Sequence, residues 1–431
     1  MKFFKKHVVG NDIFRVLRIK PFSYMMLSEF FSQLAFNMQH FVLIFIIYEL
    51  THSNTAVSGL ILSFTIPAIA LSLISGVYVD RWSKKNVLLY TNLFRGILLL
   101  PFLIPNIHLG FIYTLTFLIA VATQFFIPAE SAIIPSLVPQ KLILSANAIF
   151  SLGIYGTILG GYILAGPILL ILGKTYTLIL LALLFFISTF YTLAIKIPEK
   201  KKRVNHDLIG PEIKLSIVRE IKEIFHFIRV ARKVTHALVI LTIAQAVMFM
   251  FAVLGPGYVS TILNVQIESL SWILIAPAAL GMGFGAFLLG SVGKKFKSKT
   301  LGVMGFVLSG LTFILFPFGR RVTSNEFIHT INNFLPHIFT ITILHIVVVL
   351  AFIVGFAISL IFIPSNATIQ TETGDEMRGR IYGFLNALVG AVSFLPVGIA
   401  GGLADLLGVG TVITSVGVLM LLISGIILIF D

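Results

Sequence analysis

The sequence contains no cysteine, only two tryptophans and few charged residues. The absence of cysteine excludes disulfide bonds and thiolate metal ligands. Charged residues make up 11% and hydrophobic residues 58% of the 431 residues, whereas soluble domains average about 25% charged and about half apolar. Such a composition excludes an ordinary soluble protein and indicates a membrane protein.

Groups that serve as metal ligands or catalysts are also scarce. No two of the ten histidines lie three or four residues apart, so no helix face presents two imidazoles to a metal ion. The sequence shows neither paired acids nor a nucleophile turn of the kind that an intramembrane enzyme needs. We therefore expect no metal site, no cofactor and no enzymatic activity.

Apolar segments of membrane-spanning length recur along nearly the whole chain. A helix needs about 20 apolar residues to cross a bilayer core of about 30 Å. Lipid-exposed backbone must satisfy its own hydrogen bonds, and these segments are too long for barrel strands, so an all-α integral membrane fold is predicted. The twelve predicted spans are 21–48, 55–79, 86–106, 108–136, 143–172, 175–197, 235–262, 267–292, 300–318, 337–364, 380–404 and 408–430.

The net charge of +14 is distributed between the spans rather than along a nucleic-acid-binding surface. If the N-terminus is cytoplasmic, alternate loops on the inner side hold 27 of the 31 Lys and Arg residues. This positive-inside asymmetry predicts a multi-pass protein of the plasma (inner) membrane with both termini in the cytoplasm. The basic start followed by an apolar span, without a small-residue cleavage site, predicts a retained signal anchor.

A long polar stretch divides the spans into two sets of six. We predict an N-terminal six-helix bundle at 1–197, a cytoplasmic linker at 198–234 and a C-terminal six-helix bundle at 235–431. In the linker, isoleucines from Ile213 onward recur at helical spacing opposite basic residues, which predicts an amphipathic helix on the cytoplasmic leaflet. A regulatory partner site is the alternative for this helix.

A short fragment recurs in the two halves. Phe-Ile-Pro-Ala at 126–129 is placed at the end of the fourth span, and Phe-Ile-Pro-Ser at 362–365 at the end of the tenth. Repeated halves are typical of transporters that bind substrate near the midplane and work by rocking the halves against each other. The match is short, but it agrees with the two sets of six spans.

The first span carries four polar residues, Glu29, Gln33, Asn37 and His40. Their spacing places them within an arc of roughly 80° on one helix face. Because polar groups are costly in lipid, this stripe must face protein or a water-filled cavity. Two alternatives remain open: the stripe only hydrogen-bonds neighbouring helices, or Glu29 is solvated at the cytoplasmic interface.

Other polar residues lie inside predicted spans. Arg95 lies within the third span and must pair with an acid such as Glu29, bind an anionic substrate group, or snorkel to the interface. Glu130 is expected to be a solvated residue near a cytoplasmic helix end. Gln245 and Asn386 are the candidate cavity residues of the second half.

The loop between the second and third spans carries a recognisable motif. Residues 76–85 read Gly-Val-Tyr-Val-Asp-Arg-Trp-Ser-Lys-Lys: a small residue, an acid that can meet a helix N-terminus, and a cationic turn. This run resembles the loop signature of the major facilitator superfamily, with serine in place of the second glycine. The candidate gating residues are Gly76, Asp80, Arg81, Lys84 and Lys85.

Two further stretches resemble the drug-efflux branch that includes macrolide and siderophore exporters. One runs from Pro128 to Val138-Pro139 and on to Ala146-Asn147-Ala148, and the other covers 378–383 with Pro396, Gly398 and 402–405. The resemblance implies a major facilitator fold of two six-helix bundles, in which Asp80 braces the inner gate and Arg81, Lys84 and Lys85 tune it. Three features depart from the family: no Gly-Pro at 160–161, no arginine in the fourth span, and Phe36 where an acid is common.

Together these features predict a secondary active transporter that exports an amphiphilic small molecule by proton-coupled alternating access. Glu29 is the first candidate for the titrating group and His40 the second, with Arg95 as the electrostatic partner of Glu29. The expected partners are the substrate, protons and membrane lipids, with no nucleic acid, and the protein is expected to be a monomer. The alternatives are a lipid or lysolipid flippase of the same fold and a membrane signalling or scaffold protein.

Overall fold

The structure is a computed structural model that describes residues 12–105, 107–196, 222–292, 296–317 and 342–429. All regular secondary structure within these ranges is helical. A helix satisfies the hydrogen bonds of each apolar segment internally, which explains why these segments adopt it. The all-α fold class predicted from the sequence is confirmed.

Among the described residues, twelve long helices, labelled α1 to α12, follow a short helix at Asp12–Leu17. Eleven continuous helical stretches in the described part of the chain have the length and composition to cross a membrane. One of them, Gln140–Ala194, contains two helices that meet at Gly173. Gly173 has φ 71°, a left-handed conformation that glycine adopts without steric cost. The long helices are α1 Lys20–Thr51, α2 Asn54–Arg81, α3 Lys84–Leu99, α4 Leu109–Leu137, α5 143–172, α6 174–194, α7 Arg232–Gly257, α8 267–292, α9 Ser298–Leu315, α10 Ile343–Glu372, α11 Asp375–Leu407 and α12 Val409–Ile429.

Proline has different effects in the third, fourth and tenth spans. The third span becomes a 3₁₀ helix at Leu100–Leu103, a segment that contains Pro101. The prediction that the tenth span ends at Pro364 was wrong, because α10 continues to Glu372. Likewise α4 continues past Pro128 to Leu137. A proline removes one backbone donor, and neighbouring helices can compensate for that loss.

The described residues form two compact units. The first contains residues between Met1 and Leu43 and between Ser63 and Ile209, and the second contains Ile44–Leu62 together with residues from Gly210 onward. The contacts therefore group the end of α1 and the start of α2 with the C-terminal helices. The division into bundles at 1–197 and 235–431 stays a prediction.

The core of the first unit is built from α1, α2, α3, α4 and α5. Phe22, Met25, Phe126, Ile133 and Phe150 are buried together in it. These side chains recur on the inward faces of their helices, so the apolar stripes of the helices meet one another. This packing holds α1 and α4, which carry the polar residues described below.

In the second unit, small residues bring α8 and α10 close together. A Cβ added at Gly355 would collide with the backbone of Ala278, and one added at Gly281 would collide with the backbone of Phe352. Small residues at such positions allow backbones to approach and increase van der Waals contact between membrane helices. The glycines therefore explain why this helix pair packs tightly.

Only the end of the predicted amphipathic helix can be described, because residues 197–221 lie outside the described ranges. Residues 222–230 are helical, and Ile224 is buried against α7, α10 and α11. Glu223 accepts a 2.8 Å charge-assisted hydrogen bond from Arg380. Phe225 packs on Phe384 with 5.6 Å between ring centroids. This part of the linker therefore packs on helices within the second unit.

Candidate functional site

The polar stripe of α1 lies in the first unit. Glu29 is 3% exposed and Asn37 is 6% exposed, while Gln33 and His40 are half-buried. Asn37 Nδ2 donates a 2.7 Å hydrogen bond to the carbonyl of Gln33. The burial of Glu29 excludes the alternative in which this acid is solvated at the helix end.

Glu130 lies beside this stripe, contrary to the expectation that it is a solvated residue. It is 4% exposed on α4, and its Oε2 accepts a 3.3 Å hydrogen bond from Nε2 of Gln33. The carboxyl groups of Glu29 and Glu130 are close enough to hydrogen-bond when one of them carries a proton. Glu29 Oε1 is buried without a hydrogen-bond partner among the described residues.

Arg95 on α3 completes the cluster and is 1% exposed, which excludes snorkelling. Its guanidinium lies 4.1 Å from the ring centroid of Phe126 and 5.0 Å from that of Phe185, at the distances of cation–π interactions. It also interacts electrostatically with Glu29 and Glu130.

Hydrogen bonds hold the guanidinium in place. Arg95 Nη2 donates to Asn92 Oδ1 at 2.6 Å and to Ser32 Oγ at 3.1 Å, and Nε donates to the Thr91 carbonyl at 3.4 Å. The cation is therefore fixed by neutral acceptors and aromatic rings, while the two acids act on it through the surrounding low-dielectric interior.

A network of small polar side chains hydrogen-bonds the residues that contact Arg95. Asn92 accepts a 2.8 Å hydrogen bond from Ser32 on α1 and donates one of 2.8 Å to Ser188 on α6. Ser28 lies 2.9 Å from Ser188 Oγ and 2.7 Å from Thr192 Oγ1. Because these bonds connect α1, α3 and α6, they fix the position of the arginine relative to the α1 stripe.

His40 lies further along α1 in an aromatic environment. Its ring centroid is 4.4 Å from that of Phe36 and 4.5 Å from that of Phe64. Its Nδ1 is 3.4 Å from the hydroxyl of Tyr162 on α5. His40 therefore shares the helix face of Glu29 but contacts a different set of residues.

The cluster of Glu29, Glu130, Arg95 and Gln33 can hold one proton between its acids. With both carboxylates ionised, two negative charges face one guanidinium, and a single bound proton makes the group neutral. An uncompensated charge in a protein interior is costly. This arrangement suits a site that binds and releases one proton.

The remaining predicted site residues belong to the second unit or to the loop motif. Gln245 is half-buried on α7 and Asn386 is exposed on α11, both in the second unit. In the loop motif, Lys85 donates a 2.9 Å hydrogen bond to the Leu193 carbonyl and Lys84 one of 3.3 Å to the Trp82 carbonyl. A Cβ added at Gly76 would meet no atom within 4 Å. The side chain of Asp80 lies outside the described residues.

Asp405 near the end of α11 makes a dense set of hydrogen bonds in the second unit. Its carboxylate accepts from the backbone N–H groups of Asn54 and Thr55 at 2.8 and 3.0 Å, and from the side chains of Ser53, Asn54 and Thr55 at 2.7 to 2.9 Å. A carboxylate at a helix N-terminus meets the positive end of the helix dipole. Asp405 therefore anchors the first turn of α2 to α11.

The sequence analysis did not select three residues that make important contacts in the structure: Glu130, Asn92 and Asp405. Asn92 lies three residues before Arg95, and this spacing could have indicated a shared helix face. Glu130 is the only charged residue of α4, and an ionisable residue within a membrane span is itself a signal of function. Asp405 lies at the end of a span, and nothing in the sequence near it indicates that it binds residues 53–55.

Comparison with known proteins identifies the family. The family model described as Major Facilitator Superfamily matches residues 25–393, which include the whole cluster. The chain belongs to the Major Facilitator Superfamily. It is therefore a multi-pass membrane transporter, as the resemblance of the loop motif implied.

Two curated relatives align with most of the length of this protein. It is 27% identical over 399 residues to the uncharacterized MFS-type transporter YvqJ of Bacillus subtilis, across 89% of this chain and 86% of the relative. It is 24% identical over 358 residues to the multidrug efflux pump Tap of Mycobacterium tuberculosis, across 80% of this chain and 77% of the relative. The likeness to an efflux pump supports the branch implied by the sequence motifs.

Solved structures of other transporters share the fold. The nucleoside transporter NupG superimposes with a TM-score of 0.71 at 14% identity, covering 95% of this chain and 100% of that chain. A POT family transporter in complex with a thioalcohol-conjugated peptide gives a TM-score of 0.67 at 16% identity, covering 95% of both chains. At these identities the likeness establishes the fold alone.

Proposed function

We propose that this transporter exports amphiphilic small molecules in exchange for protons. The observation that carries the proposal is the buried pair of carboxyl groups, Glu29 and Glu130, beside the buried guanidinium of Arg95. The likeness to a multidrug efflux pump supports the direction of transport and the amphiphilic character of the substrate. Alternating access is the mechanism by which the two six-helix bundles of this fold move substrate.

The acid pair serves as the proton site in this proposal. One proton neutralises the cluster, and its loss leaves an excess negative charge near Arg95. A change of one charge in a low-dielectric interior alters the relative stability of two conformations by several kcal/mol. Proton binding and release at Glu29 and Glu130 therefore bias the inward-facing and outward-facing states in opposite directions.

Gln33 and Asn37 extend the site along α1 with uncharged polar groups. Their amides offer hydrogen bonds to a substrate, and the aromatic rings around His40 offer apolar surface. Gln245 and Asn386 are proposed to be substrate-binding residues of the second unit. This combination suits an amphiphile whose polar group is near Gln33 and whose apolar part lies along the rings.

Transport in liposomes tests the proposal. Purified protein is reconstituted, a pH gradient is imposed, and uptake of a panel of amphiphilic dyes and antibiotics is measured. We expect the wild type to concentrate at least one compound only when the gradient is present. Glu29→Gln should abolish concentration but retain exchange of labelled for unlabelled compound, because exchange needs no net proton movement.

Glu372→Gln is the matched control, since this acid at the end of α10 is 41% exposed and pairs with Lys233. It should behave like the wild type. Gradient-driven transport by Glu29→Gln at the wild-type rate would refute the proton role of Glu29. Movement of a labelled lysolipid, with no movement of any dye or antibiotic, would support the flippase alternative instead.

We also propose that the protein acts as a monomer in the plasma membrane with both termini in the cytoplasm. The concentration of Lys and Arg in alternate loops supports this orientation. Reporter domains fused to the two ends test it. A reporter that is active at either end only outside the cytoplasm would contradict the orientation.

A further inference from the structure

A groove on the first unit lies on the opposite side of α3 from the carboxyl cluster. It has a volume of about 820 Å³ and is lined along α3 by Asn86, Tyr90, Phe94 and Ile97, and along α4 by Val121 and Phe125. Tyr90 is 63% exposed, whereas Arg95 on the other face of the same helix is 1% exposed. The groove is therefore separate from the proposed proton site.

The groove is polar at one end and apolar along the rest of its length. Its polar end is formed by Arg81, Trp82 and Ser83 at the turn between α2 and α3. The indole of Trp82 packs against Tyr78 and Phe125, with 5.6 and 5.7 Å between ring centroids. Tryptophan beside basic residues is typical of the level of the lipid headgroups.

The length of the groove is close to the thickness of one leaflet of a bilayer with its headgroups. From Ser83 to Ile97 the helix rises roughly 21 Å, whereas half of the hydrocarbon core is about 15 Å thick. The groove is thus long enough to extend from headgroup level through the depth of a single leaflet. Its shape and polarity fit an elongated molecule with one charged end.

We propose that this groove binds an anionic phospholipid of the leaflet that faces the α2–α3 turn. The phosphate lies beside Arg81 with Ser83 and Asn86 as hydrogen-bond donors, and one acyl chain follows α3 past Tyr90, Phe94 and Ile97. Opposite charge selects the headgroup, because basic residues next to a span attract anionic lipids. The apolar lining supplies affinity for the chain without headgroup selectivity.

The two tryptophans of the chain allow a direct test. Trp272→Phe leaves Trp82 at the mouth of the groove as the sole tryptophan. Its fluorescence is measured in proteoliposomes that contain phosphatidylglycerol or phosphatidylcholine brominated on the acyl chain. We expect brominated phosphatidylglycerol to quench Trp82 with about fivefold higher apparent affinity, the effect of roughly one cationic residue near the membrane surface.

Two variants and one control complete the experiment. Arg81→Gln should make the two lipids equally effective, and Val121→Phe, which narrows the groove without changing its charge, should reduce quenching by both. Lys297→Gln removes a charge from an exposed residue outside the groove and should leave the preference intact. Equal quenching by both lipids in the wild type, or an unchanged preference in folded Arg81→Gln, would overturn the proposal.

Discussion

Gln33 on α1 donates a 3.3 Å hydrogen bond to Glu130 on α4, which connects the two helices that carry the buried acids. The amide can donate to a carboxylate or to a protonated carboxyl group, so the bond survives a change of charge. Gln33 thereby keeps Glu130 close to Glu29 in both protonation states.

Replacing Glu130 by glutamine should abolish gradient-driven efflux. The amide keeps the size of the side chain but cannot share or release a proton with Glu29. Efflux and counterflow exchange in liposomes give the measurement, and we expect only the exchange to remain. A Glu130→Gln protein that still responds to the pH gradient would show that Glu130 is outside the proton pathway.

Removing the cation of the cluster should strongly destabilise the fold. Arg95→Met leaves two buried acids without their guanidinium, and loss of one partner from a buried charged group costs about 3–5 kcal/mol. The midpoint of thermal unfolding in detergent should therefore fall. Adding Glu29→Gln and Glu130→Gln to this variant should restore part of the loss, because both acids are then neutral.

Arg15→Met is the control for this prediction. Arg15 forms an exposed ion pair with Asp12 at 3.3 Å, and exposed pairs contribute about 0–1 kcal/mol. Its unfolding midpoint should stay close to that of the wild type. Equal midpoints for Arg95→Met and Arg15→Met would contradict the electrostatic role assigned to Arg95.

Loss of the Asp405 charge should loosen the first turn of α2. Asp405→Asn weakens several charge-assisted hydrogen bonds, and changes at helix N-termini typically cost about 1–2 kcal/mol. The chain has no cysteine, so a cysteine placed at the buried Ala56 is a unique probe. A membrane-impermeant maleimide should label it faster in the Asp405→Asn background, and unchanged labelling would count against the anchoring role.

The close approach of α8 and α10 should depend on Gly355. A Cβ there collides with the backbone of Ala278, so Gly355→Ala should cost about 1–3 kcal/mol by overpacking. Gly283 on α8 is the matched control, because a Cβ added there meets nothing within 4 Å. The two variants are compared by their unfolding midpoints, and a smaller loss for Gly355→Ala than for Gly283→Ala would contradict the packing assignment.

Much of the fold was predictable because each span is a local property of the chain. The apolar runs predicted twelve helices, and the structure confirms them, including the break between 143–172 and 174–194 at Gly173. The end of α10 was not predictable from Pro364, because the effect of a proline depends on whether neighbouring helices satisfy the freed carbonyl.

The candidate site was predictable only in part. The stripe on α1 follows from helical spacing within one segment, and the burial of Glu29 agrees with it. Glu130 has no such periodic partner on α4, so its position near a helix end favoured a solvated residue. Its hydrogen-bond donor, Gln33, is 97 residues away in the chain, so the local sequence does not reveal it.

The sequence alone determined that this chain forms long membrane helices, because hydrophobicity and backbone hydrogen bonding act within each segment. It also fixed which polar residues share a helix face. Only the tertiary structure decided that Glu29 and Glu130 meet near Arg95, and that Asp405 binds the start of α2. Those contacts join helices distant in sequence, and their formation depends on how whole helices pack rather than on local residue patterns.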